Sequence, residues 1–377
     1  MAKRQPSSAP LHIVHVTEAS LGGVATYLEE LLTAQIEGLP EARIDLLSPE
    51  INRDALSGVN GKNFHFIGFP HKRSSKKDLI TLGWRTIQHL RRVKPDIVHI
   101  HSTFAGAAIR GLAPLIPRRT KVIYCPHGWA FSRHGSRRMQ RSVAAVERVL
   151  SRATDRIICI SDYELSEALN VGIPDRKLTV INNGVSPRPA LPSRSARNEG
   201  QPRLIAFAGR FDRQKGYDTF LQVMRKLGDS ARGAAIGSAI VSADKLPEVP
   251  ENVDLLGWQP RQRVFELFSR ADLLLVPSRW EGFGLVAVEA MQARLPVFAS
   301  RVGGLQDIVI DHETGRLFTP DAVEEIVAAI RASSDTDLRR YGEQSYRRYL
   351  QKYTADRMAG QVDALYRNLL NCATDRT

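Results

Sequence analysis

The 377-residue sequence predicts an α/β protein made of two doubly wound parallel-sheet domains. Three observations carry that expectation. The length exceeds what one hydrophobic core usually serves. Short β-rich runs alternate with stretches of helical periodicity, the pattern of a parallel sheet with helices on both faces. The alternation is interrupted once and then restarts.

In the first half the strand-like runs are His12 to Val16, Ile44 to Leu47, Phe64 to Ile67, Ile97 to Ile100, Val122 to Cys125 and Arg156 to Ile160. A stretch rich in Pro, Ser and Arg follows Asn183, which reads as a linker over 187–202 between a domain at 1–186 and one at 203–355. The second series is Leu204 to Ala208, Val253 to Leu256, Leu273 to Val276 and Pro296 to Ala299. Near the end, Met358, Val362, Leu365, Tyr366 and Leu369 form a helical apolar stripe that must be buried against something.

Composition excludes several classes. No stretch approaches the roughly 18 apolar residues that span a bilayer, and the first ten residues are polar, so the expected location is cytoplasmic. Cys125, Cys159 and Cys372 are too few and scattered for a disulfide framework or a zinc site. The formal charge of +13 lies almost wholly in the first half, with 29 Lys and Arg against 17 Asp and Glu up to residue 200. The clusters Lys72, Arg73, Lys76, Lys77 and Arg133, Arg137, Arg138, Arg141 suit either an anionic membrane surface or simple solubility. No nucleic-acid reading motif accompanies them, and none is expected as a partner.

Ligands of an open parallel sheet gather at the carboxyl ends of its strands, which directs attention to four loops. After Ala208 comes Gly-Arg-Phe-Asp-Arg-Gln-Lys-Gly, where Arg210 offers a planar fork of donors and Lys215 a mobile point charge, together suited to a diphosphate. After Val276, the residues from Pro277 to Met291 place Glu281 in a loop and start a helix near Leu285. The N–H groups of Phe283, Gly284 and Leu285 would favour an anion there. Glu289, one turn further, is a lone carboxylate among apolar neighbours, either at a solvent edge or satisfied by a polar partner such as a ribose. Gly22 and Gly23 open the first long helix and allow a close backbone approach to a phosphate or an acceptor. His127 follows the fifth strand and would bring an imidazole to the edge of the first domain.

In this order the glycine turn at Gly22 and Gly23, His127, the cationic loop at 209–216 and the pair Glu281 and Glu289 resemble the retaining glycosyltransferases of family GT4. The resemblance covers nearly the whole chain. It implies a GT-B fold, two Rossmann-like doubly wound domains facing each other across a cleft, with a C-terminal helix over 356–377 returning to the first domain. It implies transfer of a hexose-type sugar from a nucleotide-diphosphate sugar to a glycan or polyprenyl-diphosphate-linked acceptor, in polysaccharide or lipopolysaccharide assembly. Membrane association would be peripheral, on the inner face. Arg210 and Lys215 would hold the diphosphate, Glu281 the sugar hydroxyls beside the amides of Phe283, Gly284 and Leu285, and Glu289 the ribose. His127 would contact the sugar and Trp258 would lie near the base. No cofactor or metal is implied, and Asp335-Thr336-Asp337 follows no strand, so it reads as an accidental match to a metal motif. The stretch Ala234 to Ile240 lacks a second glycine often found after this strand in the family. A nucleotide-sugar epimerase of the same fold and a binding module without turnover are the alternatives.

Overall fold

The computed structural model describes residues 10–18, 22–70, 76–132, 136–189, 200–239 and 247–374, with side chains left aside at 76–78 and 373–374. Two compact units result, one from residues up to Asn182 together with those from Ala355, the other from Asn183 to Thr354.

The first unit runs β1 (His12–Thr17), α1 (Gly23–Gly38), β2 (Arg43–Pro49), β3 (Phe64–Phe69), α2 (Lys76–Val93), β4 (Ile97–His101), α3 (Thr103–Arg110), β5 (Lys121–Cys125), α4 (Arg137–Leu150), β6 (Arg156–Cys159), α5 (Asp162–Asn170) and β7 (Leu178–Val180). Its seven strands are parallel in the order β3-β2-β1-β4-β5-β6-β7. The second unit follows with β8 (Arg203–Ala208), α6 (Tyr217–Leu227), β9 (Ala231–Ile236), β10 (Val253–Gly257), α7 (Arg261–Arg270), β11 (Leu273–Val276), α8 (Leu285–Gln292), β12 (Val297–Ser300), α9 (Leu305–Ile308), β13 (Gly315–Phe318), α10 (Val323–Ala332) and α11 (Asp335–Lys352). Its six strands, also parallel, run β10-β9-β8-β11-β12-β13.

Burial explains the strand sequences. Every residue of β4, β11 and β12 is buried, so these central strands read as continuous runs without alternation. The edge strands β3 and β10 are more open. Strands β7, β9 and β13 were not anticipated as such; β7 and β13 are only three and four residues long, and β9 is Ala- and Gly-rich. The C-terminal helix α12 (Ala355–Thr374) belongs to the first unit. Met358, Val362 and Tyr366 are fully buried, Gln35 of α1 donates to Asp363 at 2.9 Å, and Tyr366 Oη lies 2.7 Å from His99 Nδ1. The apolar stripe near the end of the sequence therefore has its burial partner in α1 and β4.

Two buried charges anchor the far side of the first sheet. Arg110 donates to Glu147 Oε2 at 2.8 Å and to the Gly106 carbonyl at 2.9 Å, and its guanidinium stacks 3.6 Å from the Tyr124 ring. Both side chains are almost completely buried. Removing one partner strands the other charge without water, which costs more than the pair contributes. Arg110→Ala should lower stability by about 3–5 kcal/mol, read as a large fall in Tm, while joint replacement of Arg110 and Glu147 by apolar residues should cost less.

Glu164 is a second case. Ser161 caps α5 by accepting from Glu164 N at 3.1 Å, and the Glu164 carboxylate accepts from Ile160 N at 3.0 Å. Its Oε1 has no partner among the described residues. Burial pushes the carboxyl up to about 7, partly offset by the backbone bonds from Ile160 and Gly128. A raised folded pKa favours the protonated fold, so this group stabilises below its usual value of 4.5 and loses that contribution as pH rises through 7. Glu164→Gln should match the parent Tm near pH 4.5 and exceed it at pH 8, as scanning calorimetry at the two values would show.

Candidate functional site

The second sheet reverses its strand order between β8 and β11, where the connections leave on opposite faces. The loops after these two strands carry the residues that the sequence singles out. Lys215, at the end of the loop after β8, forms an ion pair with Glu281 in the loop after β11. Sixty-six positions of sequence separate them, and only the reversal brings them together.

Close backbone packing sets this geometry. Gly216 has φ +68°, caps α6, and lies so near Pro277 that a Cβ would overlap the Pro277 carbonyl. Gly303, at φ +50°, meets the Glu281 carbonyl in the same way. A side chain at Gly216 would push the loop after β8 away from the loop after β11, and one at Gly303 would push the loop after β12 away from that same loop.

Arg279 ties the loops together. It donates from both ends of its fork to Asp218 at 2.7 and 2.8 Å, from Nε to Asp321 at 2.9 Å and from Nη1 to the Arg213 carbonyl at 2.7 Å. Its backbone N–H bonds the Gln214 carbonyl at 2.9 Å. Sequence reasoning passed over Arg279; the signal available was an arginine two residues before Glu281, able to make a bidentate carboxylate contact.

The other residues of this unit fall as follows. Arg210 is exposed, 3.0 Å from Asp212 and 2.7 Å from Gln214 Oε1. Gly284 is left-handed at φ +104° and caps α8, whose ladder begins with Ala287 N to the Gly284 carbonyl at 2.9 Å. The N–H groups of Leu285 and Val286 precede that ladder, as at any helix start. Phe283 is buried with its ring edge toward Tyr353. Glu289 is partly buried with Arg261 Nη2 at 3.5 Å, a cationic partner that the sequence did not point to. Trp258 stands after β10, 76% exposed. Gly237, in the stretch lacking a second glycine, sits with its Cα against the Gly209 carbonyl. Asp337 closes a capping box with Ser334 at the start of α11, a structural duty for the Asp335 to Asp337 stretch.

The first sheet reverses between β1 and β4. Gly22, at φ +59°, caps α1, and Gly23 is its first residue. Glu18, just after β1, accepts from Ser102 Oγ at 2.7 Å and from Ala105 N at 3.0 Å, so it holds the start of α3. His127 follows β5 with φ +52° and a partly buried ring packed edge-on to Tyr27 at 4.5 Å. Burial pushes its imidazole down to about 3, so it is neutral. It is not alone: His15, His99 and His101 are fully buried beside it. Ring nitrogens of these three lie within 4.8 Å of one another, the one such group among the described residues with the makings of a metal site. Sequence reasoning missed them; the signal was histidine inside otherwise apolar strands. Of the basic clusters, Arg137, Arg138 and Arg141 lie exposed on α4; Lys72, Arg73 and Arg133, with the side chains of Lys76 and Lys77, fall outside the described residues.

Residues 191–353 match the family described as Glycosyl transferases group 1, and residues 21–188 match Glycosyltransferase Family 4. An uncharacterised 41.2 kDa protein of the cps region of Klebsiella pneumoniae is 32% identical over 328 residues, covering 84% of this chain and 88% of the relative. Among solved structures, sucrose-phosphate synthase from Thermosynechococcus elongatus has a similar fold, with TM-score 0.77 and 19% identity over 96% of this chain and 100% of that one. HepE from Anabaena in complex with UDP-glucose gives TM-score 0.77 and 15% identity over 95% and 100% of the two chains. No described helix is long and apolar enough to cross a membrane. With each half matched by its own family description and a relative aligned across most of the length, the chain belongs to the family 4 (group 1) glycosyltransferases of GT-B fold.

Proposed function

We propose that this glycosyltransferase moves a hexose-type sugar, with retention of configuration, from a nucleotide-diphosphate sugar to a glycan or polyprenyl-diphosphate-linked acceptor of a cell-surface polysaccharide. The observation that carries the donor half is the meeting of Lys215 and Glu281 at the strand reversal, beside the N-terminus of α8. HepE, which shares the fold, was solved with UDP-glucose, and the Klebsiella relative comes from a cps region; both support the substrate class.

In this reading Arg210 and Lys215 bind the diphosphate. Without ligand each cation rests against a carboxylate, Asp212 and Glu281 respectively. A diphosphate displaces those contacts, leaving Glu281 to accept hydroxyls of the sugar while the Phe283, Gly284 and Leu285 amides lie alongside. Glu289 takes the ribose hydroxyls, with Arg261 as its cationic partner, and Trp258 offers a face to the base. As the sugar departs, negative charge grows on the diphosphate, and fixed donors aimed at that charge lower the barrier most. We assign no metal to this step. His127 is assigned a contact with the sugar on the family resemblance alone, as are Gly22 and Gly23 with the donor.

For the acceptor, α4 presents Arg137, Arg138 and Arg141 together with exposed Met139, Val146 and Val149. That combination suits peripheral binding to an anionic membrane carrying a lipid-linked acceptor.

Lys215→Ala and Glu281→Ala should each reduce transfer by about a thousandfold or more while circular dichroism and Tm stay near the parent values; near-normal turnover in both removes the donor-site assignment. Glu289→Ala should weaken the binding of UDP or GDP by about tenfold in calorimetry, and an unchanged dissociation constant removes the ribose role. Conversion of the nucleotide-sugar in the absence of any acceptor would instead identify an epimerase.

A further inference from the structure

Three helices, α2, α3 and α4, lie side by side over one face of the first sheet. Gly83 of α2 is so close to α3 that a Cβ there would come 3.3 Å from the Ala108 carbonyl, and Arg91 of α2 donates to the Leu115 carbonyl just past α3 at 3.0 Å. On the other side of α3, Arg110 donates to Glu147 of α4 at 2.8 Å. Beyond α4, Arg148 packs against Gly172 just past α5. These contacts fix which flank of each helix faces which neighbour.

The period of a helix puts Ile80, Trp84 and Arg91 on one stripe of α2, and the bond made by Arg91 shows that this stripe is the one beside α3. Ile80 and Trp84 are nonetheless 73% and 52% exposed. Arg85 and Arg92 stand exposed on the flank away from α3. In α4 the pattern is mirrored. Arg137, Arg141 and Arg148 share the flank toward α5, and exposed Met139, Val146 and Val149 share the opposite flank, toward α3. Between the two apolar stripes α3 offers half-buried Ala107 and Ala108 and, at its start, exposed Phe104. A low apolar floor thus joins two apolar walls, and arginines edge both outer sides.

Charge limits what such a surface can meet. From Lys76 to Leu150 the sequence has 15 Lys and Arg against three acids, Asp78, Asp96 and Glu147. Glu147 is buried on Arg110, and Asp96 accepts from the backbone N–H of His12 at the amino edge of the sheet. Among the described side chains of the three helices there is no exposed carboxylate. The fold therefore leaves these cations for an external anion, and solubility alone does not account for an apolar strip among them. Width narrows the choice further. Neighbouring helices lie about 10 Å apart, so the arginine rows of α2 and α4 are about 20 Å apart across α3. A single helix of a protein partner, about 10 Å wide, reaches one row or the other, whereas an extended anionic plane reaches both. Trp and Arg beside an apolar strip are the composition of a surface that lies in a bilayer interface.

We propose that α2, α3 and α4 form one composite docking face for an anionic lipid bilayer, with Ile80 and Trp84 entering the interfacial region opposite Met139 and Val146 and with the two arginine rows on lipid phosphates. The inference rests on the peripheral-membrane reading of α4 and enlarges it, because α2 takes an equal part. Since α3 starts directly after β4, Phe104 brings the carboxyl edge of the first sheet, where ligands of such a sheet gather, to the membrane surface.

Co-sedimentation of the full chain with vesicles tests this. Vesicles of equal parts phosphatidylcholine and phosphatidylglycerol should retain the parent, vesicles of phosphatidylcholine alone should not, and the tryptophan emission should shift to the blue on the anionic ones. Trp84→Phe should abolish that shift and keep the binding. Ile80→Ser combined with Trp84→Ser should weaken binding by about tenfold or more, and Arg85→Glu combined with Arg92→Glu by about tenfold, both with Tm near the parent value because these side chains are exposed. Arg137→Glu combined with Arg141→Glu tests α4 separately. Loss of binding in that pair, with both α2 pairs binding as the parent does, leaves α4 docking in place and overturns the composite face. A parent chain that ignores anionic vesicles overturns both. Equal retention on the two kinds of vesicle, a dimer in light scattering that Ile80→Ser with Trp84→Ser dissolves, or retention of a single-stranded oligonucleotide as strong as that of anionic vesicles also overturns the proposal, by giving the face to another occupant.

Discussion

Everything in the second unit depends on the reversal of strand order between β8 and β11. On either side of that point the connecting helices leave for opposite faces, so the carboxyl ends of two adjacent strands are left uncovered. The chain fills the opening with two loops whose opposite charges meet there, Lys215 from one and Glu281 from the other. Neither helix nor strand supplies the site by itself. It exists because loops far apart in sequence are forced into contact by parallel pairing.

Contact at that distance demands small residues and fixed backbones. Gly216 removes a side chain that would separate the loops after β8 and β11, Gly303 lets the loop after β12 close on Glu281, and Arg279 of the β11 loop is tied to the β8 loop by the carbonyl of Arg213 and held further by Asp218 of α6 and Asp321 after β13. These groups need touch no ligand. Their effect is preorganisation: the cations and the start of α8 are already aimed, so less ordering is required when an anion arrives.

Much of this was legible in the sequence because the pattern was redundant. Apolar runs of four to six residues announced the central strands, and glycine with charge after β8 and β11 announced the loops. What escaped had a physical cause in each case. Strands β7 and β13 are too short to show a period, and β9 has too few large side chains to stand out. Arg261 beside Glu289, and Arg279 beside Asp218, are pairings between elements, which no local pattern encodes. His15, His99 and His101 looked like isolated polar intrusions, since only the adjacency of β1 and β4 makes a cluster of them.

That cluster shows how the two sheets use one topology differently. In the second unit the reversal collects charge and leaves it partly open to solvent. In the first, the reversal between β1 and β4 collects neutral imidazoles and buries them, with α1 and α12 closing over them through Gln35, Asp363 and Tyr366. Buried polar groups must be satisfied in full or they cost several kcal/mol each, and a row of imidazoles can be satisfied only if all its protons point one way. The position of α12 is therefore more than packing. By placing Asp363 against Gln35 at the end of that row, the last helix of the chain closes a hydrogen-bond file that runs through His15 and His101 to His127, more than two hundred residues earlier in the sequence.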